Sequence, residues 1–513
     1  MTALPEAVID SGKVRGLWRL HRGADGSITR HAIFLGIPFA APPIGDGRFD
    51  APQPVAPWSG VRECFAFGAT SQRRSPWESP RIPEPSIAGP STLNVNVTTP
   101  DPTLSAGLPV LVWIHGGGFI AGSPASPWYG GQSFARDGVV TVVISYRVGF
   151  EGFGWIAGAV NNRGVLDWLA ALEWVRRNVA AFGGDPSRVT IGGQSAGGAA
   201  VMRLLTMPAA QHLFSSALAI SPPDASASLD EGRATSALIA DAVGASAVGA
   251  SAVGASAVGA STDRAALEAV GELELFAACG TALEEPADPL TGFIVREAQS
   301  LTLGPLVDGT VCETTISDAL GAGVGANRPL YLGACAHEFN DAGASVAPLI
   351  GDSAAHAVLE RAGVPALIAA EIAAGARDRG SAWALGQAMT DAIFRQTVGH
   401  WASLRAASDA PTWVYDFRWE SHAPGVAGAA HCVDVPFGFD ILGAPGAAAA
   451  TGDAPQSLAD AVHGDWLDMV RDGAVGAPRF GPGREVIVYG NDGSRSIGTG
   501  YEREVRLWEA TRR

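Results

Sequence analysis

The sequence predicts an α/β fold, a mostly parallel central sheet flanked by helices. Three observations carry this. First, several short β-branched runs are continuously apolar: Pro109–Ile114 (PVLVWI), Val139–Tyr146 (VVTVVISY) and Arg188–Gly193 (RVTIGG). Strands buried on both faces read this way, whereas half-exposed strands alternate. Second, the segment 165–182 between the last two runs places Leu166, Leu169, Leu172, Val175 and Val179 three and four residues apart, on one helical face. Third, the alternation resumes later at Pro329–Ala334, Thr412–Trp419 and Glu485–Gly490. Strand–helix–strand repetition returns successive strands parallel, with helices on both faces.

Composition bounds the function. At 513 residues the chain exceeds the usual single-core size, so one large domain with insertions, or two or three subdomains, is expected. A net charge of −16 argues against a polyanion partner, and no nucleic acid is expected. Five widely spaced cysteines (Cys64, Cys279, Cys312, Cys335, Cys432) form no C-x-x-C pair, which is poor material for a disulfide framework or a zinc site. The N-terminal segment has no apolar core of a signal peptide. No apolar run approaches the ~20 residues that span a bilayer. A cytoplasmic protein without a membrane span is the expectation.

The chemistry centres on Ile191–Ala200, IGGQSAGGAA. A strand runs into Ser195, and small residues suited to a helix packed closely on the sheet follow it. Strand, serine, helix is the context of a nucleophile held on a sharp turn. A second motif follows another strand: His115-Gly116-Gly117-Gly118-Phe119. Backbone N–H groups unshielded by side chains suit the negative oxygen of a tetrahedral acyl-transfer intermediate. Gly117, Gly118 and Ala196 are therefore expected to form an oxyanion hole.

With these motifs in place, the chain resembles the type B carboxylesterases of the α/β-hydrolase superfamily, the cholinesterase and para-nitrobenzyl-esterase group. The resemblance runs through GIPFAAPPIGDGRF (Gly36–Phe49), PWSG (Pro57–Gly60), HGGGF, YRVGFEGF (Tyr146–Phe153), the long block from Asn162 to Gly198, and GPLVDG (Gly304–Gly309). It implies a triad in the chain order Ser, Glu, His. Glu338, in PLYLGACAHEF, stands where the family carries its acid. His431, in GAAHCVDVPFGF, stands in the family's histidine block. The rivals are His422 for the base and Glu313, Asp308 and Asp341 for the acid; His115 suits the orienting of the glycine loop better than the role of base.

The resemblance also implies an architecture. One α/β-hydrolase domain covers 1–513, its catalytic part roughly 1–225 with 300–340 and 405–513. Helical insertions fall at roughly 226–300 and 341–404. Within the first insertion AVGAS repeats four times in tandem from Ala242 to Ser261. A period of five fits no known solenoid, so an expanded surface loop or helix extension without chemistry of its own is expected.

Departures from the family pattern concern support and pocket shape. The Asp-Glu-Gly of the acid segment is His337-Glu338-Phe339 here, and a bulky Phe339 is expected to narrow the site. The glutamate that pairs with the family arginine, here Arg48, is missing, so that ion pair is expected to be lost. Ser71 and Thr92 stand at the positions of a family disulfide, Gln194 where an acidic residue is common, and Trp168 where glutamine is. Phe119, Trp155, Phe339 and Phe394 are candidate pocket residues.

The expected function is hydrolysis of a small-molecule carboxylic ester through an acyl-enzyme, with no metal or organic cofactor. A carbamate or amide hydrolase using the same triad is the alternative. A non-catalytic cholinesterase-like binding protein is disfavoured by the presence of all triad and loop residues. A dinucleotide-binding oxidoreductase is disfavoured because no G-x-G-x-x-G follows the first strand. Natural substrate, chain-length preference and oligomeric state, monomer or dimer, stay open.

Overall fold

The computed structural model describes residues 3–24, 26–75, 81–245, 262–281, 303–351 and 353–511. Its centre is an eleven-stranded sheet. In chain order the strands are β1 (Leu17–Arg22), β2 (Ile28–Pro38), β3 (Asn94–Thr99), β4 (Leu108–Ile114), β5 (Val140–Ile144) and β6 (Gly184–Gln194). They continue with β7 (Ser216–Ile220), β8 (Leu330–Cys335), β9 (Thr412–Phe417), β10 (Glu485–Tyr489) and β11 (Arg495–Thr499). Across the sheet the order is β11-β10-β9-β8-β7-β6-β4-β5-β3-β2-β1. The strands from β10 to β5 in this order are mutually parallel, and β11, β3, β2 and β1 run antiparallel to their neighbours.

All six strand-forming runs expected from apolar continuity are strands of this sheet. The antiparallel margin built by β1, β2 and β3, the short parallel strand β7 and the edge strand β11 are the parts that apolar continuity did not reveal. Polar residues interrupt the strands of the margin: β1 carries Arg19 and His21, and β3 reads NVNVTT.

Alternation within β4 explains why it had to be apolar throughout. Val110, Val112 and Ile114 enter one core with Val140, Val142 and Ile144, while Leu111 and Trp113 enter the opposite core with Val143. The first core is closed by helix α1 (Arg163–Asn178) through Trp168 and Leu172, and by helix α2 (Ala196–Leu205) through Val201 and Leu204. The second is closed by helix α3 (Gln456–Asp472) through Val462 and Trp466. A strand covered on both faces has no polar side to show.

The buried stripe of α1 differs from the expected one. Val165, Trp168, Leu172, Val175 and Val179 are fully buried, whereas Leu166 and Leu169 are only partly so. Two buried tryptophans, Trp168 and Trp174, carry the largest apolar surfaces of the helix and turn the stripe toward themselves. The helix starts after Asn162, whose φ of 56° breaks the preceding chain, and Gly183 (φ 84°) ends the short 3-10 turn that follows it.

Among the described residues, helices Leu229–Ala242, Arg264–Ala269, Glu272–Thr281 and Ile316–Gly321 lie between β7 and β8, and five α-helices, from Ala347–Ile350 to Gln396–Ala407, lie between β8 and β9. Of the AVGAS repeats only 242–245 fall within the described residues; there Gly244 (φ 67°) follows the end of a helix.

Candidate active site

Strand β6 ends at Gln194 and α2 begins at Ala196, leaving Ser195 alone at the turn with φ 59° and ψ −124°. A positive φ on serine is strained and persists only where its surroundings enforce it. Here the Ser195 N–H donates to the Ile220 carbonyl, and the Ser195 carbonyl accepts from the Ala199 N–H, both at 2.9 Å. The flanking glycines permit the approach. A Cβ on Gly197 would lie 2.0 Å from the Ile114 carbonyl oxygen, and one on Gly193 2.4 Å from that of Gly197. The glycine-rich run is therefore a close-packing device, not a flexible turn.

The loop after β4 abuts this elbow. A Cβ on Gly116 would lie 2.7 Å from the Gln194 carbonyl oxygen and 3.3 Å from Ser195 Cβ. Gly117 (φ 108°) turns the chain, and its carbonyl accepts from Ile120 and Ala121 at 3.1 and 2.9 Å. Ala196 is the first residue of α2, so its N–H has no intrahelical acceptor. His115 braces the loop. Its ring stacks on Tyr146 with centroids 4.4 Å apart, its Nδ1 is 2.8 Å from the Gly116 carbonyl, and the Tyr146 hydroxyl donates to the His115 carbonyl at 2.9 Å. Burial pulls its pKa down to about 4, so the ring is neutral at physiological pH.

Glu338 follows β8 and His431 follows β9, and a shared set of hydrogen bonds joins their loops. The His431 N–H donates to the Glu338 carbonyl at 2.9 Å, the His337 N–H to the Ala429 carbonyl at 3.1 Å, and the Ala429 N–H to His337 Nδ1 at 3.1 Å. The side chains meet: His431 Nδ1 is 2.5 Å from Glu338 Oε2. Glu338 Oε1 accepts from the Cys335 N–H at 2.7 Å. The carboxylate is fully buried, and the imidazole is 13% exposed. Burial opposes charge on His431, but contacts with Cys432 and the Glu338 carboxylate outweigh it and raise its pKa.

The rivals lie in other settings. Asp308 caps its own turn, accepting from the N–H groups of Thr310, Val311 and Cys312. Asp341 pairs with Arg81, and Glu313 and His422 are exposed.

The four candidate pocket aromatics divide into two pairs. Phe339 and Phe394 pack on each other and on His431, with centroids 5.2 and 4.7 Å from the imidazole. Phe119 is fully buried against Phe153 and Trp168, a core position. Trp155 is half-buried under Arg233, in the region of the first helical insertion.

Arg48 qualifies an expectation. The glutamate of the family pattern is absent, but the arginine is paired elsewhere: Nε lies 2.8 Å from Glu151 Oε1. Arg48 is buried, and an unpaired buried charge is costly, so a second carboxylate near the arginine takes the missing partner's place. The five cysteines are buried free thiols.

Three residues that sequence reasoning did not assign complete the neighbourhood. Gln194 Nε2 lies 3.2 Å from His431 Nε2. The Arg81 guanidinium donates to the His431 carbonyl at 2.6 Å and to Asp341 at 3.0 Å. Asp434 is buried behind Glu338 and accepts from the Tyr415 hydroxyl at 2.8 Å. Gln194 was identifiable as the neighbour of Ser195 on a buried strand; Arg81 carried no local signal at all.

The carboxylesterase family matches residues 4–474 of the chain. The chain belongs to the carboxylesterase family. Among similar members, the para-nitrobenzyl esterase of Bacillus subtilis is 31% identical, over 85% of this chain and 86% of its own. The phenmedipham hydrolase of Pseudarthrobacter oxydans is 31% identical, over 86% of both chains. The crystal structure of the Geobacillus stearothermophilus carboxylesterase Est55 superimposes with a TM-score of 0.79 at 28% identity, covering 98% of this chain and 99% of that one. This carboxylesterase is thus a carboxylic ester hydrolase of the α/β-hydrolase fold. Among its described residues no helix is long and apolar enough to cross a membrane.

Proposed function

We propose that Ser195, His431 and Glu338 form the catalytic triad of a serine esterase acting on small carboxylic esters, with Gly117, Gly118 and Ala196 supplying the oxyanion hole. The observation that carries the reading is the buried Glu338–His431 pair, 2.5 Å long, whose imidazole reaches the residue beside Ser195. The Ser195 hydroxyl attacks the ester carbonyl carbon and its proton passes to His431 Nε2. Glu338 holds Nδ1–H and stabilises the imidazolium. The three backbone N–H groups meet the negative oxygen of the tetrahedral intermediate. Collapse breaks the bond to the alkoxy oxygen, which takes the proton from Nε2 and leaves as alcohol. Water then attacks the acyl-enzyme by the same route in reverse and releases the acid.

Phe339 and Phe394, packed on the imidazole, support a place for them beside the leaving group, because His431 delivers its proton there. Phe119, sealed in the core, has no part in this reading. The unpaired cysteines support a reducing compartment, the cytoplasm.

The test is Ser195→Ala assayed on para-nitrophenyl acetate and on matched ester, carbamate and amide substrates. Loss of ester hydrolysis with an unchanged thermal melt is expected, and the parent protein should prefer the ester. Near wild-type turnover in the variant would end the assignment.

A further inference from the structure

The atom of His431 that must take the serine proton is Nε2, and in this structure it faces Gln194 at 3.2 Å. The other end of that amide is unusual. Gln194 Oε1 is buried and has no hydrogen-bond partner among the described residues. The side chain itself is 1% exposed. An unmade bond on a buried acceptor is destabilising, so its place beside a group that changes charge calls for an explanation.

Protonation states supply one. Nδ1–H is committed to Glu338, so the neutral ring carries its lone pair on Nε2 and accepts from the Gln194 NH2. The protonated ring presents an N–H there, and two donors would meet. Rotation about the last side-chain torsion exchanges NH2 for Oε1, which has no bond to lose.

We propose that Gln194 is a positioning residue that serves both protonation states of His431. Its NH2 holds the neutral base; its carbonyl oxygen turns to accept from the imidazolium once the Ser195 proton has arrived. The proposal rests on the triad reading above. No proton passes through Gln194: the proton moves from Ser195 Oγ to His431 Nε2 and on to the departing alcohol. A carboxylate at this position could only accept, and would favour the charged ring, so the base would be free only at higher pH. The ionisable groups already around the ring are Glu338, Asp434, the Cys432 thiol, and Arg81 on the His431 carbonyl. A further acid would add to the two carboxylates among them.

The experiment compares the parent protein with Gln194→Glu and Gln194→Met. kcat/KM for para-nitrophenyl acetate is measured against pH, and the His431 imidazole is titrated by NMR in the Ser195→Ala background. In Gln194→Glu the acidic limb and the imidazole titration should both move up by about one pH unit or more. In Gln194→Met, which keeps the volume but neither hydrogen bond, kcat should fall roughly tenfold with KM within about twofold. An imidazole titration unmoved in Gln194→Glu, or an undiminished kcat in Gln194→Met, overturns the proposal. Should Gln194→Glu fail to fold, the kcat-against-KM split in Gln194→Met decides alone. Persistent hydrolysis by Ser195→Ala would instead refute the triad, while the imidazole titration would still report on Gln194.

Discussion

Glu338 and His431 are bonded twice, side chain to side chain at 2.5 Å and main chain to main chain at 2.9 Å, where the His431 N–H meets the Glu338 carbonyl. The second bond keeps the two loops in register whatever the carboxylate does. Glu338→Gln should therefore preserve the fold and lower kcat by about 10³–10⁴, because an amide can present NH2 to Nδ1 and select the wrong tautomer. Glu313→Gln, at an exposed site, is the control and should change kcat little. Steady-state kinetics of the two variants checks the ranking; the opposite order would place the acid elsewhere.

The glycine loop allows a sharper substitution than deletion. A Cβ on Gly117 would sit 2.4 Å from the Ala121 carbonyl oxygen, at a φ of 108° that alanine rarely adopts. Gly117→Ala must shift the loop and misdirect its donors. A loss of about 10²–10³ in kcat with KM nearly constant is expected, since the oxyanion forms only on the way to product. A rise in KM at constant kcat would show that the loop binds substrate instead.

Asp434 gives a pH dependence of stability. Burial, helped by the neighbouring Glu338, pushes its pKa up to about 7. Between about pH 4 and 7 the folded protein holds a proton that the unfolded chain has released, so stability falls as pH rises through this window and levels off above it. In Asp434→Asn, which can still accept from the Tyr415 hydroxyl, that fall should be absent. Urea midpoints at pH 5 and pH 8 measure it; equal slopes in parent and variant would contradict the assignment.

The pair Arg147–Asp167 is a structural counterpart. Both side chains are buried, with contacts of 2.7 and 2.9 Å between guanidinium and carboxylate, and Asp167 also accepts from the Arg147 N–H. Asp167→Asn leaves a buried cation without its counter-charge and should cost about 3–5 kcal/mol in chemical unfolding. Replacing both residues by apolar ones of similar size should cost less than the single change. A single change that costs under about 1 kcal/mol would show that water reaches the pair.

Phe339 packs edge-on against His431, with its ring 5.2 Å from the imidazole. Phe339→Gly should raise the rate on bulky para-nitrophenyl esters relative to the acetate. An unchanged ratio would move Phe339 out of the substrate's path.

Much of this protein is written locally. Continuous apolar runs marked every parallel strand except the short β7, because a strand covered on both faces has no polar side to display. The Ser195 elbow and the glycine loop after β4 were legible for a similar reason: tight backbone approaches exclude side chains, and that requirement leaves glycines in the sequence. Long-range pairing between unlike segments leaves no such trace. The antiparallel margin of β1 to β3, the rescue of Arg48 by Glu151, the clasp of Arg81 on the His431 carbonyl and the meeting of Gln194 with the imidazole depend on where distant loops come to rest. Hydrogen bonds and ion pairs are satisfied by whichever partner the packing delivers, so only the tertiary structure could decide them.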